Sequence, residues 1–221
     1  MIKAVLFDLD GTLVNTLEDI ADSVNYVLEK SGFNPRPVEN FKQYVGNGIA
    51  KMIVRALPDG YKNEKTLEKL KKDFLVYYKE RCAIKSKPYD EILNLLENLK
   101  RNGIKICVVS NKEHSMCISV IEKVFGEEYF DVVVGQRDDV PQKPQPHMAY
   151  IAMNEIDVNA DECLFVGDSY TDMLTGGSAG NVTVGVLWGF RDEKELKEAG
   201  ARFIFKKPNE IFELINKING I

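Results

Sequence analysis

The fold of this sequence is decided by the stretch Val5-Leu6-Phe7-Asp8-Leu9-Asp10-Gly11-Thr12-Leu13. The apolar run at residues 4–7 predicts a fully buried strand, and this strand ends in two acids separated by one residue. Two carboxylates at the end of a central strand are unfavourable unless a cation lies between them. In an open α/β sheet, that end of a strand is also where ligands bind. An ordinary Asp-Gly turn is the simpler interpretation, and the remaining sequence decides between the two.

The residues that follow this stretch have the spacing of helices. Apolar residues recur every three or four positions, and the pattern is interrupted at Gly32, at Gly46-Asn47-Gly48 and at Pro58. Thr16-Leu17-Glu18-Asp19 predicts a capping box at the start of the first helix. Because residues 15–85 show no strand signal, we predict an all-helical cap subdomain over 15–85. It is inserted into an α/β core formed by residues 1–14 and 86–221.

From Pro88 onward, helices and strands alternate along the sequence. Further strands are predicted at residues 104–109, 131–134, 163–166, 182–186 and 202–205. A helical segment follows each of them. This alternation predicts the α/β class with a doubly wound, mostly parallel, Rossmann-like sheet.

Composition and charge argue against several classes of protein. The chain has 221 residues and a formal net charge of −5, so we expect no nucleic-acid partner. No apolar run reaches the length of a membrane span, and no signal pattern precedes the first strand. The four cysteines form no C-x-x-C pair, so we expect neither a zinc site nor disulfides. We therefore expect a cytoplasmic protein that does not bind membranes.

Polar side chains follow three of the predicted strands at the point where each strand ends. Asp8 follows the first strand, Ser110 the second, and Asp168 a later one. Because the carboxyl ends of parallel strands share one edge of a sheet, we expect these side chains to face one pocket. Lys143 precedes a predicted helix on the same side, and Asp172 lies four residues after Asp168, near enough to turn back towards it.

This set of side chains suits phosphoryl transfer. Asp8, Asp10 and Asp168 supply the hard oxygen ligands that Mg²⁺ prefers. The metal and Lys143 would hold a phosphoryl group while Ser110 donates a hydrogen bond to it, and phosphoryl transfer needs little more. An ionised aspartate can act as the nucleophile and form an aspartyl phosphate. A second carboxylate two residues away can protonate the leaving alcohol.

Four short motifs resemble those of the haloacid dehalogenase superfamily of hydrolases. They are Asp8-Leu9-Asp10-Gly11-Thr12-Leu13, Ser110-Asn111, Lys143-Pro144 and Gly167-Asp168-Ser169-Tyr170-Thr171-Asp172, in the order typical of that family. The resemblance implies that Asp8 is the nucleophile and a magnesium ligand. It implies that Asp10 is the general acid/base and binds the metal through its backbone carbonyl. Asp168 is implied to complete the magnesium site.

The resemblance also implies roles for the other residues of these motifs. Ser110 is implied to bind the phosphoryl group, and Thr12 and Asn111 of the same motifs are predicted to bind it too. Lys143 is implied to steady both the nucleophile and the transferring phosphoryl group. Asp172 is implied to be hydrogen-bonded around the metal site.

The helical insert resembles the small cap of this superfamily, which closes over the active site and selects the substrate. Gly46-Asn47-Gly48, followed by Arg55, is similar to the cap loop of phosphoglycolate phosphatases, so these three loop residues are predicted to bind substrate. Sugar phosphomutases of this cap class typically carry an arginine where Asn47 lies. The acid at Asp10 favours phosphoryl chemistry over dehalogenation. Asn15 stands at the predicted hinge, where the family commonly has an acid.

These observations lead to one main hypothesis and two alternatives. The main hypothesis is a magnesium-dependent phosphatase of a small phosphate ester, with phosphoglycolate as the leading candidate, acting as a monomer or homodimer. The first alternative is a sugar-phosphate mutase of the same cap class. The second is a non-catalytic phospho-ligand sensor or partner-binding module. His114 and His147 are interpreted as surface residues.

Overall fold

A computed structural model describes residues 1–220. Its strands are β1 (Ala4–Phe7), β2 (Val14–Asn15), β3 (Lys87–Pro88), β4 (Lys105–Glu113), β5 (Val132–Gln136), β6 (Cys163–Gly167), β7 (Val182–Val186) and β8 (Phe203–Phe205). Six strands form a parallel sheet in the order β5-β4-β1-β6-β7-β8. The predicted α/β class with a doubly wound sheet is confirmed.

Helices occupy most of the connections between the strands, and one more helix follows the last strand. They are α1 (Leu17–Lys30), α2 (Phe41–Tyr44), α3 (Ile49–Ala56), α4 (Glu64–Arg81), α5 (Ile92–Arg101), α6 (His114–Phe125), α7 (His147–Glu155), α8 (Tyr170–Ala179), α9 (Glu193–Glu198) and α10 (Asn209–Asn219). Helices α1 to α4 lie between β2 and β3, and we propose this helical segment as a cap over 15–85 on a core of 1–14 and 86–221.

The position of β1 at the centre of the sheet follows from its unbroken apolar sequence. Val5 and Phe7 belong to one buried hydrophobic cluster, and Ala4 and Leu6 belong to another, as expected of side chains that alternate between two covered faces. In register, Phe7 lies opposite Val108 of β4 and Val166 of β6. The residues that follow these three positions therefore reach the same edge of the sheet.

The junction between the helical segment and the sheet contains a structure that was not predicted. Strands β2 and β3 pair antiparallel, with Asn15 opposite Lys87 and Val14 opposite Pro88. The expectation of no strand from residue 15 onward was therefore wrong at its first residue. The reason is that each strand has only two residues, which is too short for a periodic pattern.

The predicted capping box at Thr16 is also wrong. The Thr16 hydroxyl donates to Asp10 Oδ1 at 2.7 Å and makes no cap bond to α1. Asp19 is buried and accepts hydrogen bonds from the backbone N–H groups of Lys85 and Ser86 and from the Ser86 hydroxyl. Asp19 thus ties the start of the helical segment to its end instead of capping its own helix.

Strand β4 is longer than predicted. It was expected to end at residue 109, but it continues to Glu113 because β5 continues beside it, with Ser110 opposite Gly135 and Glu113 opposite Gln136. The register is irregular between Ser110 and Glu113. This extension places Ser110, Asn111 and Lys112 in a buried strand end instead of a loop.

Two further features concern membrane-spanning helices and the cysteines. Within residues 1–220, no helix combines the length and the apolar character that a membrane crossing requires. All four cysteines are free and buried.

Asp19 should contribute to stability because its buried carboxylate accepts hydrogen bonds from Lys85 and Ser86 at the junction. Replacing Asp19 by Ala should lower the free energy of unfolding by about 2–3 kcal/mol, since a hydrogen bond to a charged group contributes roughly 1.5–3 kcal/mol. Urea unfolding would measure the change. The matched control is Asp22→Ala on the same helix, which removes only an exposed ion pair with Lys85 and should cost less than about 1 kcal/mol. Equal losses in the two variants would contradict this role.

Candidate active site

Lys143 lies between two aspartates at the carboxyl end of β1. Its Nζ contacts Asp8 Oδ1 at 2.8 Å and Asp172 Oδ1 at 2.6 Å, and it donates to the Val109 carbonyl at 2.9 Å. Lys143 thus donates hydrogen bonds to Val109 and Asp172 and forms an ion pair with Asp8, whose buried Oδ1 has no hydrogen-bond partner within residues 1–220. The carboxylate charges keep the pKa of Lys143 above its usual value even though burial acts to lower it.

Asp168 brings a third carboxylate to the same place. Carboxylate oxygens of Asp8, Asp168 and Asp172 all lie within 4.8 Å of one another. Asp168 Oδ2 accepts a hydrogen bond from the backbone N–H of Phe190 at 2.7 Å. Gly11 passes beside this carboxylate with φ +89°, and a Cβ at that position would overlap Asp168. The first motif therefore needs a glycine both for its turn and for this close approach.

The carboxylate cluster fits a divalent cation. Burial, the largest cause, raises the pKa of Asp8 to about 6, with the neighbouring acids adding to the effect and Lys143 opposing it. Burial and the charges of Asp172 and Asp8 likewise raise the pKa of Asp168 well above its usual value. Lys143 supplies only one positive charge for three carboxylates. Mg²⁺ prefers carboxylate oxygens as ligands and would supply further positive charge. The donor set therefore suits magnesium bound by Asp8 and Asp168.

Asp172 stands behind this pair of carboxylates. Its Oδ1 contacts Lys143, and its Oδ2 accepts from the backbone N–H of Ser169 at 3.0 Å and from the Ser169 hydroxyl at 2.6 Å. These contacts form the capping box that begins α8. Asp172 therefore fixes the direction of Lys143 and closes the first turn of the helix.

Asp10 is held by different partners. Its two carboxylate oxygens contact Lys112 Nζ at 2.9 Å and 2.7 Å, and Thr16 donates to one of them. Lys112 was not among the predicted site residues because β4 was expected to end before it. The sequence carried no clear signal for Lys112, because the register of β4 is irregular between Ser110 and Glu113 and simple side-chain alternation does not apply there.

The predicted phosphate-binding residues have different surroundings. The Ser110 hydroxyl is buried and accepts one backbone N–H at 3.3 Å. The Thr12 hydroxyl is buried and has no hydrogen-bond partner within residues 1–220. The Asn111 amide accepts from the Lys143 N–H at 2.8 Å and donates to the carbonyls of Lys143 and Gly46, each at 3.0 Å. Asn111 thus fastens the Lys143 loop and the cap loop, whereas Ser110 lines the cavity described below and Thr12 does not.

Hydrogen bonds from Tyr170 and Arg191 join the loop at residues 45–48 to the core, and we call them the latch. Asn47 Nδ2 donates to the Tyr170 hydroxyl at 3.0 Å, while its Oδ1 accepts from Arg55 of the same helical segment at 2.7 Å. Arg191, in the loop after β7, donates to the Val45 carbonyl at 3.1 Å and to a second carbonyl of the cap. In this structure both ends of the Asn47 side-chain amide are therefore occupied by hydrogen bonds. Arg191 and Tyr170 were not predicted, since their contacts depend on how cap and core pack.

A cavity of about 50 Å³ lies between the cap and the strand ends. Asp8, Asp10 and Ser110 line its core side. Lys112 of β4 and Tyr78 of α4 line the part of the cavity that α4 covers. The remaining wall is mainly apolar and belongs to the cap and to α6. A phosphate ester bound here would have its phosphoryl group at the strand ends and its remainder beneath the cap.

The remaining residues singled out in the sequence differ in their relation to this cavity. Gly46 and Gly48 of the cap loop line it through their backbone. His147 is exposed, and His114 Nδ1 accepts from the Gly135 N–H at 3.2 Å. Neither histidine is part of the described cavity wall.

The chain is similar to known hydrolases. Residues 5–186 match a protein family described as haloacid dehalogenase-like hydrolase. A phosphoglycolate phosphatase of Neisseria gonorrhoeae is 32% identical over 86% of this chain and 82% of its own length. A phosphoglycolate phosphatase of Aquifex aeolicus is 30% identical over 97% of each chain. A crystal structure described as a predicted phosphoglycolate phosphatase from Haemophilus somnus superposes with a TM-score of 0.89 at 28% identity, covering 97% of this chain and 98% of its own.

The raised pKa values predict a pH-dependent response to magnesium. Because the pKa of Asp8 is about 6 in the folded, metal-free protein and roughly 4 when unfolded, that protein loses stability as pH rises through this interval. Above pH 6, magnesium should relieve the repulsion among the carboxylates of Asp8, Asp168 and Asp172. Below pH 6, it should compete with protons for the same carboxylates. We expect the increase in Tm on adding Mg²⁺ to be about 2–6 °C larger at pH 7.5 than at pH 5.5.

Differential scanning fluorimetry with and without Mg²⁺ at the two pH values would measure this difference. In the control variant Asp168→Asn, one charged ligand is lost, so the magnesium response should be small at both pH values. An equal response of the unaltered protein at pH 5.5 and pH 7.5 would contradict the assignment of the cluster to a metal.

Proposed function

The chain belongs to the haloacid dehalogenase-like hydrolase family, and we propose that it is a magnesium-dependent phosphatase of a small phosphorylated metabolite, with phosphoglycolate as the leading candidate. The observation that carries this proposal is the position of Asp8, held by Lys143 beside Asp168 at the end of the central strand. The relatives described above as phosphoglycolate phosphatases support the choice of substrate.

Asp8 is the proposed nucleophile. Lys143 contacts its carboxylate at 2.8 Å and holds it towards the cavity. One Asp8 oxygen would attack phosphorus as the bond from phosphorus to the substrate oxygen breaks, which leaves an aspartyl phosphate. Lys143, Ser110 and Thr12 would hold the oxygens of the phosphoryl group during this step.

Magnesium would be bound by the carboxylates of Asp8 and Asp168, and by the Asp10 backbone carbonyl as the family resemblance implies. When bound, the metal would supply positive charge to the phosphoryl oxygens and to the crowded acids. Asp172 would keep Lys143 in place beside this centre, since it contacts the lysine at 2.6 Å.

Asp10 is the proposed general acid and base. It would give a proton to the leaving alcohol oxygen, and would later take a proton from the water that attacks the aspartyl phosphate. That second attack releases inorganic phosphate and restores the Asp8 carboxylate. Asp10 lines the cavity two residues from the nucleophile, and it must leave its contacts with Lys112 and Thr16 to act.

The cap supports a small substrate. The cavity beneath the cap is narrow, so an ester with few atoms needs less displacement of the cap than a sugar phosphate does. Gly46 and Gly48 would contact the substrate through their backbone, and Asn47 of the same loop would do so once the latch opens. A sugar-phosphate mutase would need a residue that binds a second phosphate group. Such enzymes typically carry an arginine for this purpose at the position that Asn47 occupies here.

Loss of the nucleophile provides the direct test. Asp8→Asn should lower phosphate release from phosphoglycolate with Mg²⁺ by about 10³-fold or more, because the amide cannot form the aspartyl phosphate. The control Asp161→Asn changes an exposed acid and should keep full activity. Acid quenching of the Asp10→Asn variant, followed by mass spectrometry, should detect a phosphoryl group on Asp8.

Product analysis separates the alternatives. A phosphatase yields inorganic phosphate, whereas a sugar-phosphate mutase returns a phosphorylated product. A sensor would bind phosphate esters without turnover. Wild-type activity in Asp8→Asn, or phosphorylated product alone, would overturn the proposal.

A further inference from the structure

We propose that Lys112 and Tyr78 form a binding site for the carboxylate of a short phosphorylated acid. This inference rests on the proposed phosphatase function. It names a carboxylate as the substrate group that this part of the cavity would recognise. Neither residue belongs to the four motifs. Lys112 follows the second motif, and Tyr78 lies in the helical segment.

Lys112 is a buried cation at the boundary between core and cap. Its side chain is 6% exposed, and its Nζ contacts the two carboxylate oxygens of Asp10. The same Nζ lies 4.9 Å from the centre of the Tyr78 ring, a cation–π contact with helix α4. Lysine side chains are seldom buried without a partner. Here the partner is Asp10, the proposed general acid and base.

Tyr78 carries a polar group without a partner. The residue is 1% exposed and lines the cavity, yet its hydroxyl has no hydrogen-bond partner within residues 1–220. A buried hydroxyl without a hydrogen bond lowers stability, so such groups are rare unless a ligand or water completes them. Burial raises the pKa of Tyr78 above its usual value, so the hydroxyl stays protonated and able to donate. An anionic oxygen in the cavity would accept from it.

Both residues lie close to the proposed phosphoryl site. Lys112 is two residues beyond Ser110, its backbone N–H donates to the Ser110 hydroxyl at 3.3 Å, and its Nζ contacts Asp10. A ligand that reaches from Ser110 to Lys112 and Tyr78 is therefore short, as is an acid whose carboxylate is joined to the phosphoryl group through one carbon and the ester oxygen. Most of the remaining wall is apolar, so a carboxylate placed elsewhere under the cap would lose its hydration without compensation.

Recognition by Lys112 would also affect Asp10. When a substrate carboxylate accepts hydrogen bonds from the Lys112 ammonium group, the ion pair between Lys112 and Asp10 weakens and Asp10 becomes available to the leaving oxygen. A phosphate ester without a second anionic group leaves that ion pair in place. The carboxylate would therefore improve turnover as well as binding.

A pair of matched substrates tests the site. Phosphoglycolate and 2-hydroxyethyl phosphate have nearly the same size, but only the first has a second anionic group. The measured quantity is the ratio of kcat/KM for the acid to kcat/KM for the alcohol, with Mg²⁺ present. Lys112→Met should lower this ratio by about 10-fold or more, the effect of losing one charge-assisted hydrogen bond. Lys72→Met, which changes an exposed lysine on α4, should keep the ratio of the unaltered enzyme.

A binding experiment and a second variant cover the case in which Lys112→Met is inactive or does not fold. Calorimetry would compare 3-phosphonopropionate with 3-hydroxypropylphosphonate, which mimic the two substrates and are not hydrolysed. Tyr78→Phe should reduce the preference for the acid about threefold or more. Its Tm without ligand should be unchanged or higher, because the hydroxyl has no partner to lose.

The outcomes separate this inference from the proposed function. If the unaltered enzyme releases phosphate and prefers phosphoglycolate, but both Lys112→Met and Tyr78→Phe keep that preference, the proposed carboxylate site is wrong. If the unaltered enzyme releases phosphate from no phosphate ester, the proposed function itself fails.

Discussion

The charge balance at the carboxyl end of β1 is the constraint on which the structure depends. Three carboxylates lie close together in a buried place, and desolvation of such a group is costly unless it is paired. Lys143 is the local cation, and Val109, Asp172 and Asn111 fix its position. These supports come from different parts of the chain, so the site forms only when the parallel sheet brings the strand ends together.

The strands that surround β1 were predictable because each is a continuous apolar run between polar residues. The structure departs from prediction where local sequence carries no such pattern. The β2–β3 ribbon pairs residues far apart in the chain and has two residues on each side. The end of β4 has the polar sequence Ser110-Asn111-Lys112-Glu113, which reads as a loop, and it remains a strand because β5 lies beside it.

The same distinction applies to the site. The sequence predicted that Asp8, Asp168, Lys143 and Asp172 lie close together, and the structure brings them together, while their chemical roles stay predictions. Lys112, Tyr78 and Arg191 had no comparable signal. A lysine beyond a predicted strand resembles a surface residue, and a tyrosine in an amphipathic helix resembles core. Their contacts arise from packing between helical segment and sheet, which spacing along the chain does not encode.

The central position of β1 also has a consequence for synthesis. This strand is made first, but its neighbours β4 and β6 end at Glu113 and Gly167. The backbone of Ile2 is bound by the Asn219 side chain, 217 residues later. Until those residues leave the ribosome, β1 is an apolar segment with unpaired edges, which favours association with other chains. A chain that stops before β6 would therefore leave the segment carrying Asp8 open to aggregation.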